Sequence, residues 1–175
     1  MLIEPCQMAG FLFSGPGKSL TSQIVKFLCD EMLKGLARWL RAAGYDTEVA
    51  KDGDSDRVLI QQARDSGRLL ITRDNKLMEF RDAKNTVRLL HCTGIENCAR
   101  ALNKIISVDW LYQPFSRCLL CNKPLDKVED KSNVSVPDDV NDGPLFQCPH
   151  CERIYWSGGH VKRMREKLES WQNTT

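Results

Sequence analysis

Two cysteine pairs of identical spacing, Cys118-Leu119-Leu120-Cys121 and Cys148-Pro149-His150-Cys151, constrain this chain more than any other feature. A C-x-x-C turn presents two thiolates from one tight loop. Two such turns converging on one ion give a tetrahedral four-sulfur zinc site. Four sulfurs leave no open coordination position, so the zinc expected here is structural, and His150 inside the second knuckle is not needed as a ligand. The remaining four of the eight cysteines, Cys6, Cys29, Cys92 and Cys98, are scattered. The stretch from Met1 lacks a basic opening and is broken by Ser14-Gly15-Pro16-Gly17-Lys18, so no export signal is read. A reducing cytoplasm with a metal site therefore fits better than a secreted disulfide scaffold. No apolar run is long enough to cross a bilayer.

Upstream of the knuckles a different pattern holds. Residues 1–23 are rich in Gly, Ser and Pro without periodicity and read as a poorly ordered leader. Residues 24–29 then read as a strand ending at Asp30, and Leu33, Leu36, Ala37, Leu40 and Ala43 recur at helical spacing up to a stop at Gly44. Residues 45–50 form a second strand, and Asp56 can cap a helix running to Ser66 with Gly67 beyond it. Residues 69–72 form a third strand, a short helix follows from Asn75, residues 87–91 form a fourth strand, and 95–106 a helix with Cys98, Leu102, Ile105 and Ile106 on its apolar face. Strand–helix alternation with short connections predicts an α/β fold: a mostly parallel sheet with helices on both faces. The alternation stops near Pro114, which places a boundary at 113–117 between a domain over 24–113 and a zinc ribbon over 114–175. Residues 126–142 carry Asp126, Glu129, Asp130, Asp138, Asp139 and Asp142 against Lys127 and Lys131, and read as a solvated loop between the knuckles. Residues 161–171 read as a short charged helix.

Ligands of open parallel sheets sit beyond the carboxyl ends of the strands. Asp30 follows the first strand, Asp74 the third, and Asp56 opens the second helix, so all three are expected at one edge. Hard divalent ions such as Mg²⁺ or Mn²⁺ take carboxylate clusters of this kind, and two such ions can activate a water and stabilise the leaving oxygen in phosphodiester cleavage. Helix capping is the plainer role for any one of the three. A calcium loop over Asp52, Asp54 and Asp56 fails, because Arg57 stands where the loop needs Gly and Ala63 where it needs a bidentate Glu. A phosphate loop at Gly15-Pro16-Gly17-Lys18-Ser19 fails because Leu12 replaces its first glycine.

Net charge is only +2, so any surface for nucleic acid must be local. Lys34, Arg38 and Arg41 recur at i, i+4 and i+7 along the first helix, beside Asp30, and Arg73 neighbours Asp74. A basic stripe leading to acids suits a polyanionic strand; a solvated helix face is the simpler alternative. Near the C terminus, Ile154-Tyr155-Trp156 and His160 precede Lys162, Arg163, Arg165 and Lys167. The aromatics are expected in the ribbon's small core, and the bases face solvent or RNA.

These residues carry a resemblance. Asp30-Glu31-Met32-Leu33, Leu36-Ala37-Arg38-Trp39-Leu40-Arg41 and Gly44-Tyr45-Asp46-Thr47 resemble the opening of the Mut-7 C-terminal RNase domain family. Leu70-Ile71-Thr72-Arg73-Asp74 resembles its second signature, and the knuckles, Ile154-Tyr155-Trp156, His160 and Arg163-Met164 resemble its zinc-ribbon end. The resemblance covers about residues 25–165 and implies a PIN-like three-layer α/β/α nuclease fold with a C-terminal zinc ribbon. It implies ribonuclease activity, with Asp30, Asp74 and Asp56 as catalytic acids and Mg²⁺ or Mn²⁺ ligands. Lys34, Arg38, Arg41, Arg73, His160 and Arg163 are then the expected RNA contacts. No acid follows the fourth strand, where His91-Cys92-Thr93 stands. That motivates a second expectation, an inactive RNA-binding or docking module on the same fold.

Overall fold

The fold is seen in a computed structural model, which describes residues 24–173 apart from 82, 133, 135–139, 141 and 142. The expected leader over 1–23 and the loop acids Asp138, Asp139 and Asp142 lie outside the described residues. Four strands, β1 (Lys26–Cys29), β2 (Thr47–Val49), β3 (Arg68–Thr72) and β4 (Val87–Leu89), form one sheet in the order β2-β1-β3-β4. Every pair is parallel, as the strand–helix alternation predicts. The helices are α1 (Lys34–Ala42), α2 (Asp56–Asp65), α3 (Ala83–Thr86), α4 (Gly94–Ile105) and α5 (Gly159–Gln172), with 3-10 turns at Glu31–Leu33 and Asn75–Glu79.

Period-two alternation in the strands divides the core into two faces. Phe27, Cys29 and Ile71 pack with α1 and α4, while Leu28, Leu70 and Val87 pack with Leu59, Ile60 and Ala63 of α2 and Leu77. The result is the expected α/β/α sandwich. Its strand order reverses between β1 and β3, the position at which open parallel sheets leave a crevice at their carboxyl ends. Asp30 and Asp74 flank that crevice. Gly44 is needed at the end of α1: its φ is +101°, and a Cβ there would lie 2.4 Å from the Gln113 carbonyl oxygen.

The second sheet is small and antiparallel, built from β5 (Asp126–Lys127), β6 (Phe146–Gln147) and β7 (Ile154–Tyr155). Packing runs straight across the boundary expected at 113–117. Met164, Leu168 and Trp171 of α5 belong to the same buried cluster as Leu36, Leu40 and Leu102. Trp171 lies edge-on to both Trp39 (4.8 Å) and Trp110 (4.9 Å). Its indole N–H donates to Glu96 of α4 (2.9 Å), and Glu96 also pairs with Lys167 and Arg100.

Two local expectations are corrected. Ser55, not Asp56, occupies the N-cap position of α2, and Asp56 is the first helical residue. Cys92 and Cys98, read as scattered thiols, are joined by a disulfide between the end of β4 and α4. Cys98 is buried on α4, and Cys92 lies in the short connection that leads into that helix.

Candidate metal centres and the basic face

At the sheet's carboxyl edge, one hydroxyl links two of the three acids. The buried Thr72 side chain donates to Asp30 Oδ2 at 2.8 Å and accepts the Asp74 backbone N–H at 2.9 Å. Asp74 is fixed further, because its Oδ1 accepts the Lys76 N–H at 2.9 Å and so caps the turn at Asn75–Glu79. Asp30 and Asp74 therefore meet across Thr72 at one end of the sheet, both half-buried. Asp56, at the start of α2, is also half-buried. Among the described residues, the one group of three or more His, Cys, Asp or Glu side chains near enough to share an ion is the four cysteines. Beside Asp30, the Lys34 ammonium donates to Glu31 (3.0 Å) and to Asp52 (3.1 Å), an exposed pair of contacts that solvent and salt weaken.

The cysteine site is complete. The Sγ atoms of Cys118, Cys121, Cys148 and Cys151 all lie within 4.8 Å of one another, and those of Cys118 and Cys151 are 3.7 Å apart. Zinc–sulfur bonds of about 2.3 Å put tetrahedral sulfurs about 3.8 Å apart, so the thiols fit zinc as they stand. The backbone builds each knuckle the same way. The residue after the second cysteine, Asn122 (φ 63°) or Glu152 (φ 58°), is left-handed, and its N–H returns to the carbonyl of the first cysteine at 3.0 and 2.9 Å. The first cysteine's N–H then donates to Lys123 or Arg153, at 2.8 and 3.0 Å.

Burial opposes ionisation of Cys118, yet the Tyr155 hydroxyl at 3.1 Å and the amides of Cys121 and Leu120 pull its thiol down to about 6. Burial and the neighbouring sulfurs push Cys121 up to about 12. Hydrogen bonds at Cys118 thus already suit a negative sulfur.

The basic stripe divides. Arg38 is exposed, whereas Arg41, 7% exposed at the floor of a groove between β2 and the first knuckle, gives its guanidinium to backbone carbonyls. Its Nε donates to the Thr47 carbonyl (2.8 Å), and its Nη1 donates to the carbonyls of Leu119 (3.0 Å) and Leu120 (2.8 Å). Burial lowers its pKa, opposed by the thiols of Cys29, Cys118 and Cys121. Arg41 thus pins the first knuckle to the end of α1. Asn122 does the same for β2, accepting the Thr47 N–H (2.9 Å) and donating to Asp46 (2.6 Å).

A groove of about 800 Å³ runs between β2 and the first knuckle, lined by Lys34, Arg38, Lys51, Arg117 and Lys123 with Asp46 and Glu48. Asp30, Asp56 and Asp74 do not line it. Arg73 is half-buried next to Asp74, and His160 and Arg163 are exposed on the first turns of α5. Asn122 is the residue most visibly missed by the sequence reading; its signal was an Asn directly after a C-x-x-C, a residue that tolerates the left-handed turn.

Residues 25–168 match the Mut7-C RNAse domain family. Over 112 residues the chain is 30% identical to a human protein, the exonuclease mut-7 homolog; the match covers 62% of this chain and 13% of that protein. No solved structure matches the chain. No helix among the described residues is long and apolar enough to cross a membrane. With the match spanning both the parallel sheet and the cysteine knuckles, the chain belongs to the Mut7-C RNAse domain family, a nuclease-type family.

Proposed function

We propose that the chain is a metal-dependent ribonuclease, hydrolysing RNA phosphodiester bonds at the carboxyl edge of its parallel sheet. The observation that carries this reading is the Asp30–Thr72–Asp74 bridge at the point where the strand order reverses. Asp30 and Asp74 would hold Mg²⁺ or Mn²⁺, with Asp56 as the third carboxylate. Ions bound there supply an activated water and offset charge on the leaving oxygen. Thr72 ties the Asp30 carboxylate to the Asp74 backbone, and the Lys76 N–H holds the Asp74 carboxylate, so both acids would be oriented before substrate arrives. Lys34, Arg38, Arg73, His160 and Arg163 would meet the RNA backbone as charges. The four cysteines would hold one structural zinc, and the ribbon would orient RNA against the sheet edge. The four thiols support a cytoplasmic setting, while the Cys92–Cys98 disulfide favours an oxidising one.

The test incubates the full chain with labelled single-stranded and structured RNA, with Mn²⁺, with Mg²⁺ and with EDTA, beside Asp74→Asn. Cleavage that needs the added ion and disappears in the variant supports the reading. The second reading, a binding module without cleavage, draws support from the acids at the sheet edge not forming a group of three near enough to share an ion among the described residues, and from His91-Cys92-Thr93 after β4. It gains if wild type and variant are equally inactive yet bind RNA equally well.

A further inference from the structure

Between α1 and the zinc ribbon lies a second cavity, of about 880 Å³, that neither metal centre uses. Three half-buried aromatic side chains line it: Trp39 from α1, and Tyr155 and Trp156 from the ribbon. Arg38, Arg153 and His160 are exposed at its rim, and no Asp or Glu lines it. The rings are held in place by their surroundings. Trp39 is set edge-on to Trp171 at an interplanar angle of 67°. The Tyr155 hydroxyl bonds Cys118 Sγ at 3.1 Å and accepts the Leu119 N–H at 3.2 Å, so the knuckle orients its ring. The Trp156 indole lies over Gly158, where a Cβ would stand 2.8 Å from its Nε1. Arg38, Leu119 and Leu120 line this cavity and the basic groove along β2 alike, so the two are continuous.

We infer that the cavity formed by Trp39, Tyr155 and Trp156 is a stacking pocket for a nucleobase of a single-stranded RNA. Fixed aromatic faces with bases at the rim and no acid among the lining residues match a planar ring carried on a phosphate backbone. A purely apolar peptide would leave Arg38, Arg153 and His160 without counter-charge. The neighbouring basic groove takes the phosphates that follow the stacked base. This assignment rests on RNA being the ligand, as proposed above, and adds the part of the chain that grips a base.

The experiment uses the full chain carrying Asp74→Asn, with no divalent ion added, so that binding is read without cleavage. Tryptophan quenching and fluorescence anisotropy are followed for an oligouridylate and for an abasic oligoribonucleotide of equal length. The base-bearing strand should bind about tenfold to a hundredfold more tightly than the abasic one. Trp156→Ala should bring that ratio towards one. Gly158→Ala, which crowds the indole, should lower it, and Trp156→Phe should keep most of it. Arg153→Ala should weaken both strands and leave the ratio unchanged. Zinc content and far-UV circular dichroism confirm that each variant is folded.

Equal affinity of the wild-type pocket for both strands would overturn the assignment, as would a ratio that survives Trp156→Ala in a folded protein. Dimerisation that masks Trp39 and Trp156 would instead identify a second copy as the occupant and also overturn it. A base-dependent ratio in a chain that never cleaves RNA leaves the pocket standing and removes the ribonuclease reading. Metal-dependent cleavage with equal affinities does the reverse.

Discussion

The two candidate metal centres are made in opposite ways. The cysteine site comes from two copies of one local turn. Each knuckle sets its own backbone through hydrogen bonds within six residues, and the four sulfurs converge within 4.8 Å before any ion is considered. The acidic edge comes from three separate strand-to-helix turns. Its two joined members meet only because β1 and β3 pair in register and Thr72 spans them. A soft, closed tetrahedral site can be prepaid by short-range geometry. A hard-ion site with open positions depends on the packing of the whole sandwich. The two should therefore respond differently to substitution: ribbon changes should cost stability and metal content together, and edge changes should cost activity with little loss of stability.

The largest effect should come from Cys148→Ser. It removes a buried ligand from the four-sulfur set, and zinc measured in the wild type by mass spectrometry should be missing from the variant, with a melting temperature lower by about 10 °C or more. Because Met164, Leu168 and Trp171 share the main core, the loss should reach α4 and α1 and show in near-UV circular dichroism. A variant that loses zinc but melts like wild type would break the view that ribbon and sandwich are one packed unit. Arg41→Ala comes next. It deprives three carbonyls of their donor and loosens the first knuckle from α1, at about 3 kcal/mol in chemical denaturation, with zinc retained. Arg41→Lys should recover only part of this, since an ammonium cannot present the planar fork.

Arg41 also shows where a sequence stops being informative. Lys34, Arg38 and Arg41 share one stripe by spacing, yet Arg41 also follows Ala37 by one turn, and Ala37 is in the core. What decides the matter is Leu119 and Leu120, distant in sequence, whose carbonyls need donors once the knuckle docks. The parallel sheet was legible because buried strands and amphipathic helices write their periods directly into the chain. The knuckles were legible because their geometry is local. The Thr72 link between Asp30 and Asp74, the Cys92–Cys98 bond and the reach of α5 across the boundary at 113–117 were not, since each depends on how elements pack rather than on what each element is. The gathering of Trp39 with Tyr155 and Trp156 belongs with these: the ribbon pair is plain in the sequence, its α1 partner is not.

Thr72→Val tests the acidic side of the comparison. Valine keeps the shape but removes the hydroxyl that donates to Asp30 and accepts from Asp74. Cleavage should fall about 10-fold to 100-fold, and the Mn²⁺ concentration for half-maximal activity should rise, while stability drops by only about 1 kcal/mol. Thr72→Ser should restore the metal dependence. If activity falls only in proportion to the folded fraction, with the Mn²⁺ requirement unchanged, Thr72 is a packing residue and the edge is not ordered through it.

The smallest effect concerns the joint between the two regions. Asp46 accepts from Arg68 at 2.8 Å and from Asn122 of the first knuckle at 2.6 Å. Burial works to raise its pKa, but those two hydrogen bonds outweigh it and hold the carboxyl below its ordinary value of 3.8. A depressed folded value means that its contribution is full above the ordinary value and is lost as pH falls through the folded one. Asp46→Asn should therefore cost about 0.5–1 kcal/mol at neutral pH, and the gap from wild type should hold down to about pH 4 and close below it. Thiolate ligands must stay deprotonated to hold an ion, so metal release on acidification, followed alongside unfolding, separates two routes. If the gap closes together with zinc release, Asp46 acts through Asn122 and the docked ribbon. If it persists until the carboxyl itself takes up a proton, Arg68 is the partner that matters, and the sandwich holds this corner without help from the ribbon.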